Sequence, residues 1–239
     1  MSRDPKIRRQ DTKPSLPRRQ FFTGRDGLGA YTADPGAFAS SRVVYHNDKV
    51  VVINDLYPKS TVHTLVLPKS KRNLLHPIEA FEDPQFLAET KQEVDRAKDM
   101  VANELRRLYG KFSVAEQPRL DAMESDEPPE VLPPGRDWTK EVIAGIHAGP
   151  SMNHLHVHVM SRDMVSECMK KRNHYQSFTT PFLVSLDEFP LAKDDVRRQP
   201  HKGGYLQDDM ICWRCGQEFA KMPRLKEHLD SEFEQWRRE

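Results

Sequence analysis

Apolar residues recur along this chain with two different periods, and each change of period marks a new element. Val43-Val44-Tyr45, a turn at Asn47-Asp48 and Val50-Val51-Val52-Ile53 predict a β-hairpin, and residues 62–67 return as a third strand carrying His63. From Asp83-Pro84 the period lengthens: Leu87, Val94, Ala97, Val101, Leu105 and Leu108 lie on one stripe of a long helix. Asp83 is its expected N-cap, Pro84 its first residue and Gly110 its stop. Strand patterning resumes over 141–146, over the second half of 149–160, and over 178–186. The intervening residues 117–136 are rich in Pro, Asp and Glu and read as an exposed, mobile insertion. A short glycine-weakened helix is expected over 25–31. The pattern predicts an α+β fold, an antiparallel sheet with a long helix packed on one face.

Charge adds an N-terminal arm to this picture. Lys+Arg (37) and Asp+Glu (36) nearly cancel, so net charge alone does not announce a nucleic-acid binder. Yet Arg3, Lys6, Arg8, Arg9, Lys13, Arg18 and Arg19 crowd the start against only Asp4 and Asp11. Residues 1–20 therefore read as a basic disordered arm, suited to phosphate backbones or nuclear import, or simply a solvated tail. No window approaches the ~18 apolar residues of a membrane span, and the start lacks a signal peptide's apolar core. The cysteines, Cys168, Cys212 and Cys215, do not make a disulfide framework. Cytosol or nucleus follows. The expected organisation is the arm, a catalytic domain over 21–190, a polar linker over 191–206, and a separate small unit over 207–239.

Chemistry concentrates in Asn153-His154-Leu155-His156-Val157-His158-Val159-Met160. On a strand, alternate side chains share a face, which sets His154, His156 and His158 on one side, about 6.5–7 Å apart from the rise per residue. Leu155, Val157 and Val159 are left for the core. Such a row could ligate a metal, serve phosphorus chemistry, in which imidazole is both nucleophile and acid, or merely decorate an edge strand.

The terminal unit reads C-x2-C-x3-F-x5-L-x2-H from Cys212 and Cys215 through Phe219 and Leu225 to His228. This is the spacing of a Cys2His2 zinc finger, including the two apolar residues beneath the metal. No histidine follows His228, but Glu232 lies one helical turn on and on the same face. Cys212, Cys215, His228 and Glu232 are assigned to one structural Zn²⁺. Lys221, Arg224 and Lys226 on the finger helix suit phosphate contact, and a single finger reading about three base pairs would act as an auxiliary clamp.

The run His154-Leu-His156-Val-His158-Val-Met160 resembles the histidine triad signature of nucleotide hydrolases and transferases. Tyr57-Pro58-Lys59-Ser60 with His63-x-Leu65-Val66-Leu67-Pro68 is similar to the aprataxin branch of that superfamily. So are His147-Ala148-Gly149-Pro150-Ser151-Met152-Asn153, Lys171-x-x-His174-Tyr175-x-Ser177-Phe178 and the C-terminal finger, whose Cys-Cys-His-Glu ligands resemble fungal members. The resemblance runs from Arg25 to the C-terminus. It implies removal of AMP from 5′-adenylated DNA ends, with adenylated or nicked DNA as partner and AMP as product. It further implies a monomeric nuclear repair protein with no metal in the active site.

By motif position, His156 would be the nucleophile, His158 would hold the non-bridging phosphate oxygens, His154 would orient the nucleophile's ring, and His147 would be the leaving-group acid. Ser151 would bond the phosphate, Asp55 the ribose, and Leu56, Lys59, His63 and Met152 would line the nucleotide site. Phe21, Phe22, Arg25, Lys170, Lys171, Arg172, His174 and Ser177 are the DNA-contact candidates; the family's aromatic wedge aligns with Gly24, leaving the stack to either phenylalanine or to a residue elsewhere. Two other functions remain open on the residues: hydrolysis of small nucleotides such as AMP-lysine or dinucleoside polyphosphates, and a non-catalytic nucleic-acid scaffold.

Overall fold

The computed structural model describes residues 23–200 and 202–239. The basic arm, Phe21 and Phe22 lie outside the described residues. Helix α1 (Gly29–Ala33) precedes the hairpin β1 (Val43–His46) and β2 (Val50–Asn54), then β3 (His63–Pro68). Helices α2 (Pro77–Ala80), α3 (Pro84–Tyr109) and α4 (Gln117–Glu124) follow. The chain then forms β4 (Val142–His147), β5 (Val157–Ser161), α5 (Arg172–Thr179) and β6 (Leu183–Val184). It closes with β7 (Met210–Ile211), β8 (Glu218–Phe219) and α6 (Met222–Trp236). The main sheet has the order β1-β2-β3-β5-β4-β6, with every pair antiparallel. The α+β expectation is met.

Local chemistry explains the long helix. The Asp83 carboxylate accepts from the main-chain N–H groups of Gln85 and Phe86, both at 3.0 Å, a cap worth about 1 kcal/mol. Leu87, Val94, Ala97, Val101 and Leu105 then face the sheet and meet Val50, Val52, Val66, Val157 and Val159 in the principal core. The opposite face of the sheet carries α1 at its β1–β2 end, where Leu28 packs with Val51, Ile53, Leu65 and Leu67. Beside that layer, over β3, β5 and β4, sit the histidines.

Several local expectations are corrected. Strand pairing starts at Val157, not at His154. Upstream, the N–H of Asn153 bonds the Arg25 carbonyl and that of Leu155 bonds the Asn73 carbonyl, so this backbone is committed outside the ladder. Of the three histidines, His156 and His158 line the cleft described below, while Leu155, Val157 and Val159 sit in the principal core. Residues 172–179 are helical, so Phe178 does not begin a strand; the Thr179 and Thr180 hydroxyls donate to the carbonyls of Tyr175 and Gln176 as the helix ends, and Pro181 follows.

The region 117–136 is not wholly an exposed insertion. It holds α4, and its last residue, Arg136, is buried between the rings of Trp138 and Trp236 at 4.4 and 5.1 Å. The buried Glu116 carboxylate accepts from the Arg136 N–H at 2.9 Å and pairs with Arg106 at 3.0 Å. Gly135, at φ 69°, passes so close that a Cβ there would lie 2.5 Å from Glu116; both its dihedral and its space require glycine.

Nor is the terminal unit separate. Leu191, Tyr205 and Leu206 of the expected linker pack on the principal core, as does Trp236 of α6. Met210, Cys212, Leu225 and Leu229 share a second core with Met160, Met164, Met169, Tyr175 and Phe178. With two-residue strands, the finger has little apolar area to bury alone and completes its core against the sheet domain.

Candidate active site and metal centre

A cleft of about 680 Å³ opens between α1, the sheet and α5. Asp55, Leu56, Lys59, His147, Ser151, Met152, His156, His158, His174 and Ser177 all line it, so most of the nucleotide-site candidates converge on one place. Leu28, Ile53, Leu65 and Met152 make its apolar end, and the imidazoles its polar end. His63 lies directly behind His158. Arg25, Lys170 and Lys171 are exposed outside the cleft lining.

Hydrogen bonds fix which nitrogen of His63, His158 and His156 carries the proton. The Lys59 main-chain N–H donates to His63 Nδ1 at 3.0 Å, so the His63 proton is on Nε2. That Nε2–H faces His158 Nδ1 at 2.9 Å and Asp55 Oδ2 at 3.5 Å. His158 Nδ1 is thereby an acceptor, and the remaining proton of its neutral ring sits on Nε2. Buried His158 Nε2 has no protein partner among the described residues and is left as a donor for whatever occupies the cleft. His156 is set the other way. Its Nδ1 lies 2.7 Å from the His154 carbonyl, which can only accept, so Nδ1 holds the proton and Nε2 keeps a lone pair. The contact that orients the His156 ring thus comes from His154, through its main-chain carbonyl.

Burial decides the charge of the cluster. Desolvation pushes His63 down to about 4 and His147 to about 3, and the neighbouring imidazoles lower His147 further. His158 falls well below its usual value, and His156 is lowered, both chiefly from burial. All four rings are neutral at pH 7. Buried His147 Nε2 has no partner among the described residues. Lys59, also lowered by desolvation, lines the same cleft. A neutral imidazole lone pair beside N–H donors and a lysine is arranged for an anion.

Several wall residues were not among the site candidates read from the sequence, Arg42, Phe178 and Phe182 among them. Phe178 lies 4.7 Å from His147, 5.0 Å from His158 and 5.5 Å from His63, ring centre to ring centre. Phe182 flanks His147, and Arg42, bonded to the Tyr31 hydroxyl, closes the far side. Arg172, expected at DNA phosphates, donates to the carbonyls of Gln207, Asp208 and Ala220 and so fastens α5 to the finger.

The four expected ligands do meet. Ligand atoms of Cys212, Cys215, His228 and Glu232 lie within 4.8 Å of one another. His228 Nε2 is 3.2 Å from Cys215 Sγ and 3.4 Å from Glu232 Oε1. Two thiols, an imidazole and a carboxylate gathered on one point fit a tetrahedral Zn²⁺. Arg214, not singled out from sequence, pairs with Glu232 and Glu239 and holds the carboxylate in position. Asp55, His63 and His158 are similarly close, but the atoms that meet there, His63 Nε2, His158 Nδ1 and Asp55 Oδ2, already contact one another as described above.

A HIT domain model matches residues 38–165, and a C2HE / C2H2 / C2HC zinc-binding finger model matches 179–235. The chain is 32% identical to an aprataxin-like protein of Schizosaccharomyces pombe, covering 93% of this chain and 86% of that one. It is also 32% identical to an aprataxin-like protein of Saccharomyces cerevisiae, covering 87% and 95%. The chain belongs to the aprataxin-like branch of the HIT family. Among solved structures, the aprataxin ortholog Hnt3 in complex with DNA superposes with TM-score 0.68 at 28% identity, covering 89% of this chain and 96% of that one. Hnt3 has also been solved with DNA and guanosine, at TM-score 0.67. In this aprataxin-like chain no described helix is long and apolar enough to cross a membrane.

Proposed function

We propose that the protein is a nuclear DNA repair hydrolase that removes AMP from 5′-adenylated DNA ends through a covalent adenylyl-histidine. The observation that carries this reading is the opposed tautomers of His156 and His158, a lone pair and a donor directed into one cleft. Support for the DNA side comes from kinship with aprataxins and from likeness to Hnt3 bound to DNA.

The adenine occupies the apolar end beside Leu28, Ile53, Leu65 and Met152, with Leu56 at the rim and the ribose hydroxyls at Asp55. His156 Nε2 attacks the AMP phosphorus in line, forming the N–P bond as the P–O bond to the DNA 5′-phosphate breaks. The leaving phosphate oxygen takes the electron pair and a proton from His147. Burial by itself keeps that ring neutral, and the incoming phosphate anions favour its protonated form. His158 Nε2–H, Ser151 and Lys59 hold the equatorial oxygens as charge builds there. Water then hydrolyses the N–P bond, releasing AMP and restoring His156. Exposed Arg25, Lys170 and Lys171, with His174 and Ser177 at the rim, supply sequence-independent contacts to the DNA end, as would Phe21 and Phe22. Structural Zn²⁺ held by Cys212, Cys215, His228 and Glu232 stabilises the finger, and the protein acts as a monomer.

Adenylated nicked duplex compared with a free adenylate tests the substrate. The reading expects a much higher kcat/KM on the duplex. Equal values would favour a hydrolase of small nucleotides.

A further inference from the structure

Helix α5 separates the histidine cleft from the finger and uses a different face for each. His174, Ser177 and Phe178 line the cleft, at helical positions i, i+3 and i+4. Phe178 contacts His63, His147 and His158 with one ring. The residues offset by two and three positions face the other way. The Tyr175 hydroxyl donates to the Ile211 carbonyl at 2.9 Å and accepts from the Trp213 N–H at 3.0 Å. The Gln176 amide donates to the Asp208 carbonyl at 2.7 Å, and Arg172 to those of Gln207, Asp208 and Ala220. Every one of these acceptors is main chain of the segment that carries Cys212 and Cys215. Between the finger's backbone and the imidazoles there is one layer of helix.

We propose that α5 is a positioning strut. Phe178 sets the ring planes of His147 and His158, and Tyr175, Gln176 and Arg172 hold Phe178 by fastening the helix to the finger. Phe178 and Tyr175 are positioning residues, and the role rests on the reading of the histidine cleft as the hydrolytic centre. A hydrogen bond at Nδ1 leaves an imidazole free to tilt about that bond. Ring edges packed from the side remove this freedom, and a reacting group displaced by 1 Å loses up to about a hundredfold in rate. The finger thus acts on the chemistry as well as on DNA.

Tyr175→Phe keeps the ring and removes only the hydroxyl between α5 and the finger. With adenosine 5′-phosphoramidate, which carries no DNA, its kcat is expected to fall about tenfold while KM stays within about twofold, since the adenine end of the cleft is remote from α5. Imidazole ¹⁵N signals of His147 and His158 should move in Tyr175→Phe and Phe178→Leu and stay in place in Glu227→Ala, a change on the exposed side of the finger helix. Should Tyr175→Phe fail to fold, Arg172→Ala is expected to move the same signals. Unchanged imidazole signals and kcat in the folded variant overturn the strut. A wild-type protein without adenylate hydrolysis overturns the catalytic reading instead, and the imidazole signals still decide on the strut.

Discussion

The protein gathers imidazole beside other polar groups in two places, the cleft and the finger, and prepares them for opposite charges. In the finger, two thiols, the Glu232 carboxylate and the His228 nitrogen all turn acceptor atoms toward one point. With the thiols deprotonated the four groups offer only lone pairs, the donor set a cation takes. In the cleft the same nitrogen chemistry is strung into a chain of donor to acceptor, from the Lys59 main chain through His63 to His158, ending in an N–H that has no partner among the described residues. A donor end beside Lys59 asks for an anion. His156, bonded in the reverse sense by a carbonyl, is the exception, and reversal is what leaves it the lone pair that the proposed attack on phosphorus requires. Residue type alone does not separate a metal centre from a phosphate site; the direction of the hydrogen bonds does.

Removing the exception breaks the contrast most severely. His156→Ala should lower AMP release from adenylated nicked duplex by at least about a thousandfold, as loss of a covalent nucleophile does; rapid release by the variant would mean that water attacks phosphorus directly. On the finger side, Arg214→Ala frees the carboxylate it holds. Zinc affinity, read by competition with a chelating dye, should fall about 10–100-fold, the usual cost of losing a partner of a ligand. An unchanged affinity would remove Glu232 from the ligand set or Arg214 from its support.

The smallest effect is on acid stability. Buried His63 and His147 titrate near 4 and 3, below the usual 6.5, so between those values the unfolded chain binds more protons than the folded one. Stability therefore rises with pH across this window and is lost as pH falls below about 6.5. Each histidine should cost about 2 kcal/mol at pH 5. Denaturant unfolding of the wild type and His63→Asn at pH 5 and 7 measures this, and equal pH dependence in both would contradict it.

Periodic elements were the legible part of the fold. The hairpin, β3 and α3 follow from local spacing and the Asp83 cap, and need no distant partner to be read. The gathering of Cys212, Cys215, His228 and Glu232 was legible too, because a metal motif has fixed spacings on a short segment. What composition hid was decided by partners far along the chain. Residues 117–136 look solvated, yet one buried carboxylate twenty positions back captures Arg136. Phe178 belongs to a helix because Tyr175 beneath it finds the finger's backbone, a contact no local pattern announces. Cleft residues such as Arg42 and Phe182 share no motif with the histidines and meet them only through the fold.

The central claim is that His156 becomes covalently adenylylated. The direct measurement is to quench the enzyme during turnover of adenylated nicked DNA under conditions that preserve phosphoramidates and to map the modified peptide by mass spectrometry. The account predicts one AMP on His156, absent from His156→Ala. Turnover with no protein-bound AMP, or AMP on a different residue, would contradict it.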